Sequence, residues 1–145
     1  MDKFVNQLKI AFASQYAFAI KAQNFHWNVE GIDFYQKHKM FQKIYEETYG
    51  AVDDFAENIR KIKAYTPASL YRFSALSAVD DEVEILDPQA MVAELLRDAE
   101  KMQEIMKVLF TEAENLGHHG LSNFLADRQD AFAKHAWFLR STLKD

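Results

Sequence analysis

Two histidines and two carboxylates carry the chemistry that can be read from this chain. His26 and His38 stand twelve positions apart with Gly31 between them, and Asp53 and Glu57 follow inside the stretch VDDFAENIR. The carboxylates are four residues apart, so on a helix both project from one face. Imidazole nitrogen and carboxylate oxygen together make a borderline-hard donor set that suits ferrous iron. Whether the four donors can meet depends on the elements that carry them.

Phe4, Leu8, Phe12, Ala19 and Ala22 recur at helical steps, which predicts a first helix from about residue 3 to about residue 28. His26 falls on the same stripe, eighteen residues or about five whole turns after Leu8. Gly31 breaks the helix, and Asp33 is a candidate cap for the next. That second helix is expected over roughly 33–63, through Phe34, Phe41, Ile44, Tyr45, Val52, Phe55, Ile59 and Ile62. A third opens with Asp87 as N-cap and Pro88 at the first helical position. It runs through Val92, Leu95, Ala99, Met102, Met106 and Leu109 and stops near Gly117. The fourth, over about 120–143, carries Leu121, Phe124, Leu125, Phe132, His135, Phe138 and Leu139.

The connection between helices two and three spans about two dozen residues, 64–87, longer than bundles normally use. Within it, ASLYRFSALS (68–77) has the apolar spacing of a short helix. A bundle with one long crossover is the ferritin-like arrangement. The expected fold is therefore all-α: a single ferritin-like domain over 1–145, a four-helix bundle whose long crossover between helices two and three carries a short helix. Bundles that hold two metals inside one chain use paired Glu-x-x-His motifs, and here no histidine has a glutamate three residues before it.

The turn at Gly31 lets His26 and His38 become neighbours near the start of helix two. Asp53 lies fifteen residues further along, or roughly 22 Å at about 1.5 Å per residue. No side chains span that gap. The two half-sites of one chain can be completed only by a second copy whose helix two packs antiparallel about a two-fold axis, which makes two pockets per dimer.

The segment FHWNVEGIDFYQKH, the His26-x11-His38-x14-Asp53-x3-Glu57 spacing, the VDDFAENIR stretch and the closing KHAWFLRSTL resemble the Dps family, the small dodecameric ferritins, over nearly the full length. The resemblance implies that His26, His38, Asp53 and Glu57 form an inter-subunit ferroxidase centre. It implies oxidation of Fe(II) to Fe(III) with hydrogen peroxide or dioxygen, and storage of the ferric mineral in a hollow shell of twelve subunits built from two-fold dimers. Trp27 would stand beside the centre, where the family often has a tryptophan that absorbs stray oxidising equivalents. Acidic residues that line an iron-entry pore in the family would correspond to Asp127 and Asp130. The chain departs from the pattern at Gln42, where an acidic residue usually helps hold a second metal, with Glu46 one turn on as a partial substitute. Lys37 and Asn58 are further departures. An alternative reading keeps the oligomer without mineralisation, its sites holding one structural or regulatory zinc or iron.

Composition narrows the remaining classes. The absence of cysteine excludes disulfides and thiolate metal sites. A net charge of −5 with no basic cluster denser than Arg60, Lys61 and Lys63 leaves little to attract a phosphate backbone. With little chain before the first helix, DNA binding is expected to be weak or absent. No stretch has the length and apolarity of a membrane span, and the expected location is cytoplasmic. The other candidates read as structure: His135 as core, His118 and His119 as loop residues, and Met91, Met102 and Met106 as core filling.

Overall fold

Local signals set most of the helix ends. Asp87 adopts extended backbone and its Oδ1 accepts from the Ala90 N–H at 2.9 Å, with Pro88 at the first helical position, where its missing N–H costs nothing. Ser69 caps the crossover helix in the same way, accepting from the Arg72 N–H. Gly117, at φ 79°, closes the third long helix in the left-handed conformation that glycine adopts without a Cβ penalty. The computed structural model describes residues 2–144, with α1 (Asp2–Asn28), α2 (Phe34–Gly50), α3 (Val52–Lys61), α4 (Leu70–Leu76), α5 (Pro88–Asn115) and α6 (His119–Leu143). Among the described residues there is no strand. The architecture is the expected four-helix bundle, with α2 and α3 forming one bent rod and α4 in the crossover.

Two expectations need correction. Asp33 does precede the second helix, but it sits at φ 63° and its side chain makes no capping bond; its backbone carbonyl accepts from Lys37 instead. The turn itself requires left-handed backbone here, at Gly31 and again at Asp33, whereas a capping residue normally has extended backbone. The continuous second helix over 33–63 is broken at Ala51. The cause is local competition for one carbonyl. The Thr48 carbonyl accepts from the Ala51 N–H at 3.3 Å and from the buried Gln15 amide of α1 at 3.2 Å. The Thr48 hydroxyl meanwhile bonds back to the Ile44 carbonyl, an arrangement that bends helices.

Aromatic edges hold the bundle together. Phe18 meets Phe132 at 5.1 Å, Phe25 meets Phe41 at 5.7 Å, and Phe12 meets Phe55 at 5.6 Å, all edge to face, the geometry aromatic pairs favour. Met91, Met102 and Met106 are fully buried, as core filling requires. The crossover is tied down by Val79 in the core, by the Ser14 hydroxyl accepting from the Ala78 N–H, and by Lys101 donating to the Ala78 carbonyl. Lys21 is 4% exposed and joins α1 to α5 through Asp98 at 2.6 Å and Glu94 at 3.1 Å.

A second ionic group lies between α1, α2 and α6. Arg128, 3% exposed, donates to both Glu47 oxygens at 2.5 and 3.1 Å and to Gln15 Oε1 at 3.1 Å. His135 Nε2 lies 2.7 Å from Glu47 Oε1. Burial opposes ionisation of Glu47, but the hydrogen bonds from His135 and Arg128 and the guanidinium charge outweigh it and lower the carboxyl to about 2. Its stabilising contribution is therefore full above its ordinary value of 4.5 and is lost as pH falls from there toward 2. Acid titration of the folded fraction is expected to show destabilisation across that window, reduced in Glu47→Gln. Glu47→Ala strands the buried guanidinium and is expected to cost about 3 kcal/mol, the low end for a broken buried pair because Glu47 retains access to water. Urea unfolding at matched subunit concentration measures it.

Candidate metal centre

His26 lies in the last turn of α1 and His38 in the second turn of α2, and the Gly31 turn brings them together. Their rings stack with centroids 3.9 Å apart and planes 15° apart. Each is tied to the other's backbone. His26 Nδ1 is 2.8 Å from the His38 carbonyl, and His38 Nδ1 is 2.6 Å from the His26 carbonyl. A carbonyl only accepts, so each Nδ1 carries a hydrogen, and a neutral ring tied in this way presents its Nε2 lone pair. Fixing the tautomer through the second nitrogen is how proteins prepare histidine as a metal ligand. Phe34 stacks on the outer side of His38 at 5.0 Å, and Tyr45 lies against His26 at 5.3 Å. His26 is buried and His38 half-buried, while neighbouring Trp27 is 65% exposed.

Asp53 and Glu57 project from the exposed face of α3, whose opposite face buries Phe55 and Ile59. Asp53 stands in the first turn of that helix, where the partial positive charge of the helix start favours a carboxylate. The structure brings the two histidines together and does not bring the carboxylates to them. Among the described residues of one chain there is no cluster of three or more metal-ligating side chains. On the stripe between the two pairs, Gln42 donates its amide to Glu46 at 2.7 Å, so the substitute carboxylate already has a partner. Asn58 is turned inward and bonds the Asp54 carbonyl.

The remaining candidates are engaged elsewhere. His135 is packed against Phe18 and Phe132 and bonded to Glu47. His119 Nδ1 meets Glu114 at 2.6 Å on the surface, and hydrogen bonds from His119 and Ser122 hold Glu114 below the usual carboxylate range. His118 stacks on Phe4. Asp127 and Asp130 are exposed on α6. Sequence reasoning missed Arg128 and Glu47. The available signal was an arginine at position 128 in line with Leu121, Leu125, Phe132, His135 and Leu139, a charge on an apolar stripe that needs a buried partner.

Comparison with known proteins identifies the family and the fold. A family model described as a ferritin-like domain matches residues 5–145. The DNA protection during starvation protein of Helicobacter pylori is 30% identical over 125 residues, 86% of this chain and 87% of that protein. DNA protection during starvation protein 2 of Bacillus anthracis is 29% identical over 123 residues, covering 85% of this chain and 84% of that protein. The crystal structure of antigen TpF1 from Treponema pallidum superposes with a TM-score of 0.94 at 28% identity, covering 99% of this chain and 93% of that one. Dps from Staphylococcus aureus gives 0.94 at 26%, covering 100% and 97%. The paired histidines, the broken second helix and the long crossover thus sit in a chain that belongs to the ferritin-like family, in its Dps branch.

Proposed function

We propose that this protein is an iron-storage and detoxification ferroxidase whose centre is shared between subunits. Its substrate, Fe(II), binds between His26 and His38 of one protomer and Asp53 and Glu57 of its partner. Iron handling at this general level goes with the ferritin-like, Dps-type family to which the chain belongs. The observation that carries the finer reading is the double tether, which leaves two Nε2 lone pairs open while the carboxylates stand exposed one helix away. The histidines orient and hold the ion without needing to be reorganised, and the carboxylates neutralise its charge. Zinc, which accepts the same donors, would compete with iron for the pocket. Hydrogen peroxide or dioxygen takes the electrons. Two ferrous ions reduce one peroxide to water, so hydroxyl radical is not released.

The surface supports association. Ile32, Tyr35, Leu70, Tyr71 and Val83 are each at least 65% exposed on the α1–α2 turn, the first turn of α2 and the crossover, and exposed apolar groups of this kind support an interaction site. We assign it to contacts between copies of the chain in a two-fold dimer and, through dimers, a twelve-subunit shell that stores the ferric product. Asp127 and Asp130, exposed on α6, are proposed to line an entry route for iron. The charge of −5 favours Fe(II) and disfavours DNA. Among the described residues no helix is long and apolar enough to cross a membrane, and the proposed location is the cytoplasm.

The Gln42–Glu46 bond favours a second reading, a non-mineralising oligomer with one structural or regulatory metal per site. Iron retained after loading separates the two, because saturation at one ion per site would support the second reading.

Two outcomes test the shared centre. Ferric absorbance after peroxide addition is expected to fall in His38→Ala and in Asp53→Ala by more than the ~10–100-fold that loss of outer-shell support costs. Unfolding and reassembling the two inactive variants together is expected to restore about one quarter of the wild-type rate, because each mixed dimer regains one intact pocket of its two. A centre within one chain would give no recovery. Gln42→Glu is expected to raise tightly bound Fe(II) from one toward two per site, read by anaerobic titration calorimetry.

A further inference from the structure

The crossover is loosely seated at one point. Val79 is buried in the core and Leu86 packs against it, but between them Asp80, Asp81 and Val83 are exposed. The segment runs over a cavity of about 500 Å³ whose wall includes Lys21, Asn24, Phe73, Ser77 and Glu82. No apolar side chain anchors it there, and polar contacts hold it instead. The Asn24 amide donates to the Glu82 carbonyl at 3.2 Å, and the Glu82 side chain comes within hydrogen-bonding reach of Glu94 on α5.

That second contact joins two carboxyl groups, which cannot bond unless a proton lies between them. Glu94 Oε2 is shielded from water and, among the described residues, has no aligned donor. Lys21 approaches it at 3.1 Å but directs its hydrogen bond to Asp98 at 2.6 Å. The other charges around the pair supply no donor either. Arg97 stands 3.8 Å from the opposite oxygen, Glu94 Oε1, with its own side chain 70% exposed. Lys101 is committed to the Ala78 carbonyl, and Asp80, Asp81 and Glu84 add only negative charge to the segment. Glu82, Glu94 and Asp98 thus gather around one buried lysine. Burial, and then the bond with Glu82, push Glu94 above its ordinary value of 4.5, against the pull of Lys21. The Glu84 N–H, at 3.0 Å from Glu82 Oε2, and then the bond with Glu94 hold Glu82 below that value. The proton therefore resides on Glu94.

We propose that Glu82 and Glu94 form a proton-operated clasp that fastens residues 80–83 of the crossover to α5. In the closed state the Glu94 carboxyl O–H donates to the Glu82 carboxylate. As pH rises above 4.5 through the raised Glu94 value, that proton passes to solvent and two like charges face each other beside Lys21. The segment then lifts from Glu94, while Val79 and the Lys101–Ala78 bond keep the preceding turn seated. Glu82 acts in the opposite sense, since its contribution is lost as pH falls below 4.5. The clasp is tightest near that value and loosens toward neutrality. Val83, assigned above to contacts between copies, ends the segment, so the clasp also sets how firmly that contact is presented. The clasp itself does not rest on that assignment.

The test is continuous-wave electron paramagnetic resonance of a nitroxide attached through Asp81→Cys in the assembled protein, a single labelling site because the chain has no cysteine. The same label attached through Lys107→Cys, on the exposed face of α5, is the control. At about pH 5, above the range in which Glu47 loses its contribution, the segment label is expected to be immobilised. At about pH 7.5 its mobile fraction is expected to grow severalfold while the control stays unchanged. Glu94→Gln keeps a neutral donor to Glu82 and is expected to leave the label immobilised at both values. Glu94→Ala removes the donor and is expected to leave it mobile at both. Equal mobility at the two pH values with Glu94 intact would overturn the clasp. So would an undiminished pH response in Glu94→Gln, or an immobilised label in Glu94→Ala. A control label that sharpens as much as the segment label would also overturn it, by placing the change in the whole bundle.

Discussion

Two backbone carbonyls determine what the imidazoles can do. Each histidine spends its Nδ1 hydrogen on the carbonyl of the other, so the bonds that seat the rings also choose their tautomer. The arrangement needs the last turn of α1 and the second turn of α2 to approach closely, and this follows from the left-handed residues Gly31 and Asp33 between them. The pairing of the first two helices and the readiness of the donors are therefore one structure. A shift of either helix would loosen both hydrogen bonds together, and with them the direction in which each Nε2 points.

The interior of the bundle is organised on a different ionic theme. In ferritin-like proteins that hold metal within one chain, inward carboxylates and histidines surround the ions. Here an inward carboxylate and histidine are present, Glu47 and His135, but the cation between the helices is the guanidinium of Arg128. A fixed organic cation satisfies the carboxylate without an open coordination position. The proposed metal donors are accordingly elsewhere, with His26 and His38 where α1 meets the start of α2 and Asp53 and Glu57 on α3. Gln15 links the two themes, since its oxygen accepts from Arg128 while its amide bonds the Thr48 carbonyl.

Much of this was legible in the residues. Helical periodicity located the four long elements, the Asp87–Pro88 pair marked a helix start, Gly117 marked a stop, and the length of 64–87 pointed to a crossover with its own short helix. These are signals written in a few adjacent positions, and the structure keeps them. The features that escaped depend on distant partners. Ala51 breaks a helix because of a glutamine on α1, thirty-three residues from Thr48. Asp33 has the right type for a cap but the wrong backbone angle, set by the turn it completes. Arg128 was hidden among apolar neighbours until Glu47 was seen opposite it. Of the four donors, the histidines were placed together by a turn that local reasoning could find. The proposed approach of Asp53 and Glu57 would come from a second molecule, and one chain shows only their exposure.

The interruption at Ala51 has a geometric consequence. A straight helix would lock the bearing of the carboxylates to that of the histidines through a rigid rotation per residue. With the break at Ala51 between them, the bearing of α3 is set separately, by Phe55 and Ile59 seated in the core. The break itself is held by the Gln15 amide on the Thr48 carbonyl. The bearing of the proposed carboxylate pair thus depends in part on a buried side chain of the neighbouring helix that is none of the proposed ligands.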